Sequence, residues 1–394
     1  MDHIPSSLAT LMPQLVTWRR ELHAFPEGSF AEFHTADFIA GELTAAGIVV
    51  TRGIGGTGLV GTLATGAGPA IAIRADMDAL EMDEANSFAH RSAHAGFMHG
   101  CGHDGHVMML LGAALYLART RRFKGTVQFV FQPAEEKGGG AEAMLKDGLF
   151  ERFPVSAIYG AHNEPLLPVG EMAVVPGAIS AAQDDLCIRV YGQGGHAARP
   201  HLGVDPILVG AEIVMAAQSI VSRQINAQLP TVLSITKFSG GSATNVIPDQ
   251  VELAGTLRSL DPGARETAQV ALRRLASGIA AAHGARAEVL IERGYPPVIN
   301  ALGPTARAAK AAIALLGADA VHQEREASLG AEDFAYYGEH VPACFVRIGQ
   351  RDATHTASLH HPTYDFNDAA LPVGAAYWSK LVEQELADTE PSSN

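Results

Sequence analysis

Residues 99–106 place His99, Cys101, His103 and His106 among three glycines. Cys101 and His103 stand two positions apart. In an extended segment, side chains at that spacing point the same way, so a thiolate and an imidazole can converge on one metal ion. Both are ligands typical of zinc and its neighbours. Gly100, Gly102 and Gly105 let the backbone fold tightly around that point. The competing reading is a glycine-rich surface turn with incidental histidines, and three further His/Glu clusters downstream weigh against it.

The first of these is Glu135-Glu136, after a Pro and before Lys137-Gly138-Gly139-Gly140. Two adjacent carboxylates at a strand end often form no more than a solvated turn. Beside a Cys/His site, one can bind metal while the other reaches a metal-bound water as a general base. His162 follows an apolar strand and is either a satisfied core histidine or a ligand. His360-His361 sits in a loop before Pro362, where two imidazoles have no structural reason. One Cys, one Glu and three His exceed the needs of a single tetrahedral zinc. They suit two ions roughly 3.5–4 Å apart that share a bridging ligand.

The elements that position these residues follow from hydrophobic periodicity. Leu8, Leu11, Leu15, Trp18 and Leu22 recur at helical spacing, and a second helix runs from about 34 to 46, ending at Gly47. Strands are expected at Ile71–Ile73, Thr126–Phe131 and Val155–Ala161, with an apolar helix over 106–119. Each polar cluster then follows the carboxyl end of a strand, where open α/β sheets place their sites. From residue 184 the pattern changes to strand (185–191), helix (205–225), strands (231–239 and 250–258), helix (263–283) and strand (286–293). That order is the ferredoxin-like β-α-β-β-α-β motif. The α/β pattern then resumes with a helix near 304–316, a strand at Cys344–Ile348 and a helix from Ala369, and Asp388–Asn394 reads as a frayed tail. The expected fold is an open, largely parallel α/β sheet with flanking helices, formed by 1–183 and 298–394 and interrupted by an inserted α+β domain over 184–297.

Composition excludes several classes. The chain has 394 residues, 47% hydrophobic and 18% charged, with net charge −14. That length favours two domains, and that charge argues against nucleic acid or an anionic membrane as partner. Met1–Pro5 lacks the basic and apolar regions of a signal peptide, and no apolar run approaches the roughly 20 residues of a membrane span. Three cysteines, Cys101, Cys187 and Cys344, make no disulfide framework. A reducing cytoplasm suits them.

As a set, Arg74–Leu80, Met98–His106, Phe131–Glu136, Gly195–Ala197, Asn245–Asp249, Gly255–Arg258, Gly330–Phe334 and His360–Asp368 resemble one family. It is that of the metal-dependent amidohydrolases, with hippurate hydrolases, bacterial aminoacylases and plant auxin-conjugate hydrolases, relatives of dinuclear zinc carboxypeptidases and dipeptidases. The motifs occur in order and cover nearly the whole chain. The resemblance implies that Cys101, His103, Glu136, His162 and His360 hold two divalent ions, with Cys101 as bridge. Zinc or manganese is expected first, cobalt or nickel next. It implies Glu135 as general base and proton shuttle, His196 as oxyanion stabiliser and Asn245 as a substrate contact. Asp78 supports the metal site, against a buried, ion-paired structural role. Arg258 is either an anchor for a substrate carboxylate or an ordinary strand-edge charge.

Relatives often carry an aromatic residue where this chain has Glu164; the carboxylate either alters substrate preference or points to solvent. His361 does not match the family's ligand position, which lies two places before Pro362. His106 is expected to be structural, and His23, His34, His90, His94 and His99 match no ligand position. In relatives the inserted domain pairs with its twin, which implies a homodimer with His196 acting across the interface. The alternatives are a histidine acting within its own subunit or capping its turn.

The implied reaction is hydrolysis of an N-acyl amino acid to a carboxylic acid and a free amino acid. The competing activities are a metallo-carboxypeptidase or dipeptidase and a non-catalytic, metal-holding amino-acid binder. Glu135 speaks against the last, because binding alone needs no general base.

Overall fold

A computed structural model of the protein describes residues 4–387. Met1–His3 and the tail expected at Asp388–Asn394 lie outside the described residues. The chain divides into two compact units, one formed by Met1–Gly177, Ile299–Arg325 and Tyr336–Asn394, the other by Ala178–Val298 and Glu326–Ala335.

The first unit is built on an eight-stranded sheet. Its order is Val49–Arg52, Leu59–Ala64, Thr126–Gln132, Ala70–Asp76, Ile158–Pro168, Ala343–Arg351, Met172–Ala173 and Val321–His322. The four central strands, from Thr126–Gln132 to Ala343–Arg351, run parallel. Leu59–Ala64 and Val49–Arg52 close one side antiparallel. The central strands read as near-continuous buried runs, as doubly covered strands must.

Helix His103–Thr120 is buried along its whole length from His103 to Leu117, which places it inside the helical layer rather than on its surface. Met12–Ala24 and Leu371–Glu385 pack against it. Leu8, Leu15, Leu111, Phe129, Tyr377 and Trp378 belong to one continuous core. Fully burying each large side chain contributes about 1.5–3 kcal/mol.

The second unit contains strands Ala182–Tyr191, Thr231–Ser239, Gln250–Ser259 and Arg286–Arg293 with helices Pro206–Arg223 and Pro262–Ala282. The sheet order is Thr231–Ser239, Gln250–Ser259, Ala182–Tyr191, Arg286–Arg293, antiparallel throughout. This is the ferredoxin-like arrangement. Asp205 and Asp261 cap the two helices by accepting from Ile207 N and Ala264 N, and a proline follows each cap. Among the described residues one helix, Pro206–Arg223, is long and apolar enough by length and composition to cross a membrane. It sends Val209, Ile213, Ala217 and Ile220 into this unit's core.

Three local expectations change. The first helical stretch is two helices, Ser6–Ala9 and Met12–Ala24. Pro13 is tolerated only in a first turn, so the helix restarts there. The helix expected at 106 begins at His103. The strand expected to end at Ala161 runs to Pro168, so His162 lies within it. Pairing with Ala343–Arg351 from Ile158 to Glu164 sustains the strand through a polar sequence.

Candidate metal centre

The cluster is assembled from loops, the start of helix His103–Thr120 and the middle of strand Ile158–Pro168, all in the first unit. Cys101 sits in the turn before helix His103–Thr120. Gly102 between them has φ 88°, and a Cβ there would lie 2.5 Å from the Tyr364 hydroxyl. Only glycine meets both demands. At Gly105 a Cβ would enter the Phe366 ring, 2.2 Å from its nearest atom. These glycines let the helix start close against the C-terminal loop, whose His360 main-chain N–H donates to Gly100 O at 2.9 Å.

The Glu135-Glu136 turn is held by its own backbone. Ala134 has φ 51°, uncommon without glycine. Its N–H donates to Glu32 Oε1 at 2.8 Å. The next two N–H groups, of Glu135 and Glu136, donate to the two oxygens of Asp78 at 3.1 Å each. Ser29 Oγ also donates to Asp78 Oδ2, at 2.7 Å. The carbonyl of Asp78 accepts from His103 Nδ1 at 2.9 Å. One aspartate thus fixes both the glutamate turn and the orientation of an imidazole.

The structure brings five of the sequence-selected side chains together. Cys101 Sγ lies 3.3 Å from His162 Nε2 and 3.3 Å from His360 Nε2. Glu136 Oε1 lies 3.7 Å from His103 Nε2 and 3.6 Å from His360 Nε2. They form two groups that share Cys101: Cys101, His103 and His162, and Cys101, Glu136 and His360, with donor atoms within 4.8 Å of one another in each. Glu135, 8% exposed, forms a further group of that span with His103 and Glu136.

These atoms fit a cation. His103 Nε2 and Glu136 Oε1 are buried and have no hydrogen-bond partner, although they face each other. Buried polar atoms are otherwise almost always paired. Burial, reinforced by Glu136, Glu135 and Asp76, pushes the Cys101 thiol well above its ordinary range. Burial also raises Glu136, to about 7, against the pull of His103. Burial opposes protonation of His103, but the carboxylates of Asp76, Asp78 and Glu136 outweigh it and lift it to about 10. Negative charge is in excess here, and a bound cation reverses each of these preferences and favours the thiolate.

Other selected residues lie elsewhere. His196 and Asn245 are exposed in the second unit. His196 belongs to a two-stranded ribbon of Gly195–His196 and Val246–Ile247. Ala197 N donates to Asn245 O at 3.0 Å, so the two residues are neighbours. Arg258 lies in Gln250–Ser259, an interior strand, so the strand-edge reading of its charge is corrected. Glu164 faces Arg325 Nη2 at 3.3 Å and accepts from Leu166 N at 3.1 Å. His23 lies 2.8 Å from Asp104 in a buried pair that also faces Arg19.

Sequence reasoning passed over Asp76, Glu32 and Asn163. Asp76 and Asp78 stand two apart at the end of one strand, a spacing that puts both on one face; that signal was available. Glu32 accepts from the main-chain N–H groups of Phe30 and Ala134, and Asn163 meets His106 and His162 through its own main chain, so neither leaves such a pattern.

A dinuclear, Cys/His/Glu-rich centre at the end of a largely parallel sheet defines the class as a metal-dependent hydrolase acting on amides. The model of peptidase family M20/M25/M40 matches residues 72–384, and the chain belongs to that family. The chain is 41% identical over 378 residues to an N-acetylcysteine deacetylase of Bacillus subtilis, covering 93% of this chain and 96% of that protein. It is 42% identical over 289 residues to an N-acyl-L-amino acid amidohydrolase of Geobacillus stearothermophilus, covering 73% and 78%. The crystal structure of a dinuclear metal-binding peptidase of the M20 family from Bacillus subtilis superposes with TM-score 0.85 at 36% identity, covering 96% of this chain and 99% of that one.

Proposed function

We propose that this chain hydrolyses the amide bond of N-acyl amino acids, releasing a carboxylic acid and a free amino acid. Its two ions are held by Cys101, His103, Glu136, His162 and His360, with Cys101 common to both. The observation that carries the reading is the pair of donor groups sharing Cys101, with a second carboxylate, Glu135, directly beside them.

Two divalent ions supply Lewis acidity to the scissile carbonyl and acidify the attacking water. Glu135 takes the water proton and delivers it to the leaving amine, which an amide requires because an amide anion is too poor a leaving group. Its burial keeps that proton away from bulk solvent. Asp78 holds Glu135 and Glu136 in register through their main-chain N–H groups. His196 donates to the oxyanion, Asn245 contacts substrate, and Arg258 receives the substrate carboxylate.

The segment 184–297 serves as lid and dimerisation domain of a homodimer. Helix Pro206–Arg223 exposes Leu208 and Met215, and Thr231–Ser239, at an edge of its sheet, exposes Val232 and Phe238. Three free cysteines suit a reducing cytoplasm.

The test is a liquid-chromatography screen of N-acetyl, N-benzoyl and long-chain N-acyl amino acids against protein reconstituted with zinc, manganese, cobalt or nickel. Release of the free amino acid is expected. Cleavage of dipeptides alone would move the assignment to a dipeptidase. Cys101→Ala should retain little metal, and a fully loaded, fully active Cys101→Ala would remove the ligand assignment.

A further inference from the structure

The candidate ligand histidines are held unequally. His103 and His162 are buried, and each gives its Nδ1 proton to a main-chain carbonyl, of Asp78 at 2.9 Å and of Asn163 at 2.7 Å. This leaves Nε2 of each free as a donor to metal. The side chain of His360 is 55% exposed, and its backbone has φ 61°.

Behind His162 runs a buried chain of polar groups that the proposed reaction does not use. Arg74 Nη1 donates to Asp76 Oδ2 at 2.7 Å. Asp76 Oδ1 accepts from His106 Nδ1 at 2.6 Å. His106 Nε2 lies 3.0 Å from the main-chain nitrogen of Asn163 and 2.6 Å from its side-chain Oδ1, so both the backbone and the amide of Asn163 are seated on this imidazole. The carbonyl of the same Asn163 accepts from His162. One residue therefore has its N–H committed to His106 and its carbonyl to His162. A buried acceptor that fixes a ligand imidazole's tautomer and orientation also raises its basicity.

We propose that His106, held by Asp76 and Arg74, is a positioning residue that orients His162 through Asn163. It thereby makes the Cys101–His103–His162 position the tighter of the two metal positions. The inference rests on the ligand set given under Proposed function. Among the described residues, the Cys101–Glu136–His360 position has no comparable support behind its histidine and is the weaker, exchangeable one.

The experiment uses chelator-treated full-length protein titrated with Co²⁺, followed by calorimetry and by the thiolate-to-cobalt charge-transfer absorption. Wild type should show a tight event and a weaker one. His106→Ala and Asp76→Asn should weaken the tight event by about 10–100-fold, the range for lost partners of metal-bound histidines, and leave the weaker event in place. His106→Gln, which can still donate to Asp76 and accept from Asn163, should recover part of the loss. A purely structural role would lower the melting temperature of the metal-free protein without changing the Co²⁺ affinity of the folded molecules.

Folded His106→Ala with both wild-type affinities, or with equal losses in both events, overturns the proposal. If His106→Ala does not fold, His106→Leu, which fills the same space without either hydrogen bond, carries the same expectation and the same overturning results; Asp76→Asn, whose carboxylate also faces His103 at 3.7 Å, does not replace it. His162→Ala separates the two readings: it should abolish the tight event. If it keeps both events, the ligand assignment fails; if it loses the tight one while His106→Ala does not weaken it, only the positioning role fails.

Discussion

The metal cluster and the His196 ribbon are built by opposite means. Around Cys101, carboxylates are tied to main-chain N–H groups and imidazoles to carbonyls. Around His196 there are two residues per strand, an exposed imidazole accepting from Ala198 N at 3.1 Å, and an exposed Asn245. The cluster is organised before substrate arrives. The ribbon is short and leaves both His196 and Asn245 exposed. The groups proposed to set charge and proton position are fixed by buried hydrogen bonds, whereas the proposed oxyanion donor is accessible.

The largest effect is expected at the glutamate pair. Glu135→Gln should keep its metal and lose turnover by about 10²–10⁴-fold, while Glu136→Gln should lose metal as well. Metal analysis beside steady-state kinetics checks both, and reversed phenotypes would swap the roles.

His196→Ala should lower kcat by about 10²–10³-fold, with metal content and melting temperature at wild-type values because the His196 side chain is exposed. Mixing refolded His196→Ala with Glu135→Gln tests the cross-subunit role. Hybrids regain activity if His196 acts in trans, since one site then has both residues intact. No recovery in hybrids confirmed by native mass spectrometry would place its action in its own subunit.

Asp78→Ala should do what no ribbon substitution does. It leaves two N–H groups of the glutamate turn without their acceptor, at about 1–3 kcal/mol for each one buried. Chemical denaturation of the metal-free protein measures the loss, and metal affinity should fall with it.

The smallest effect is a pH dependence. Burial opposes charge on His23, but Asp104 and Glu84 outweigh it and raise it to about 9. A raised histidine stabilises fully below its unfolded value near 6.5, and that stabilisation fades as pH rises through about 9. Melting temperature measured from pH 6 to 10 should decline over that interval, and less so in His23→Gln.

Legibility in the sequence followed the same divide. Cys101, His103 and the glutamate pair stand in short motifs, so they could be picked out as candidates from spacing, and the structure brings them together. The ferredoxin-like order was readable because each of its elements carries its own periodicity. What was not readable depends on distant pairing. His162 lies mid-strand because Ala343–Arg351 extends the sheet past it. Arg258 is interior because strands flank Gln250–Ser259 on both sides. Glu32 holds the turn at Ala134 across 102 residues, with no local pattern to announce it.

The contact between Cys101 and His360 closes across 259 residues of chain, and Arg19 reaches Asp368 across 349. Loop-closure entropy places such contacts late in folding. The full set of proposed metal donors cannot assemble while the chain is still incomplete. Occupancy of the centre therefore reports that the last part of the chain has docked. With His360 as a proposed donor, capture of the full metal complement during synthesis has to wait until residue 360 has emerged and folded.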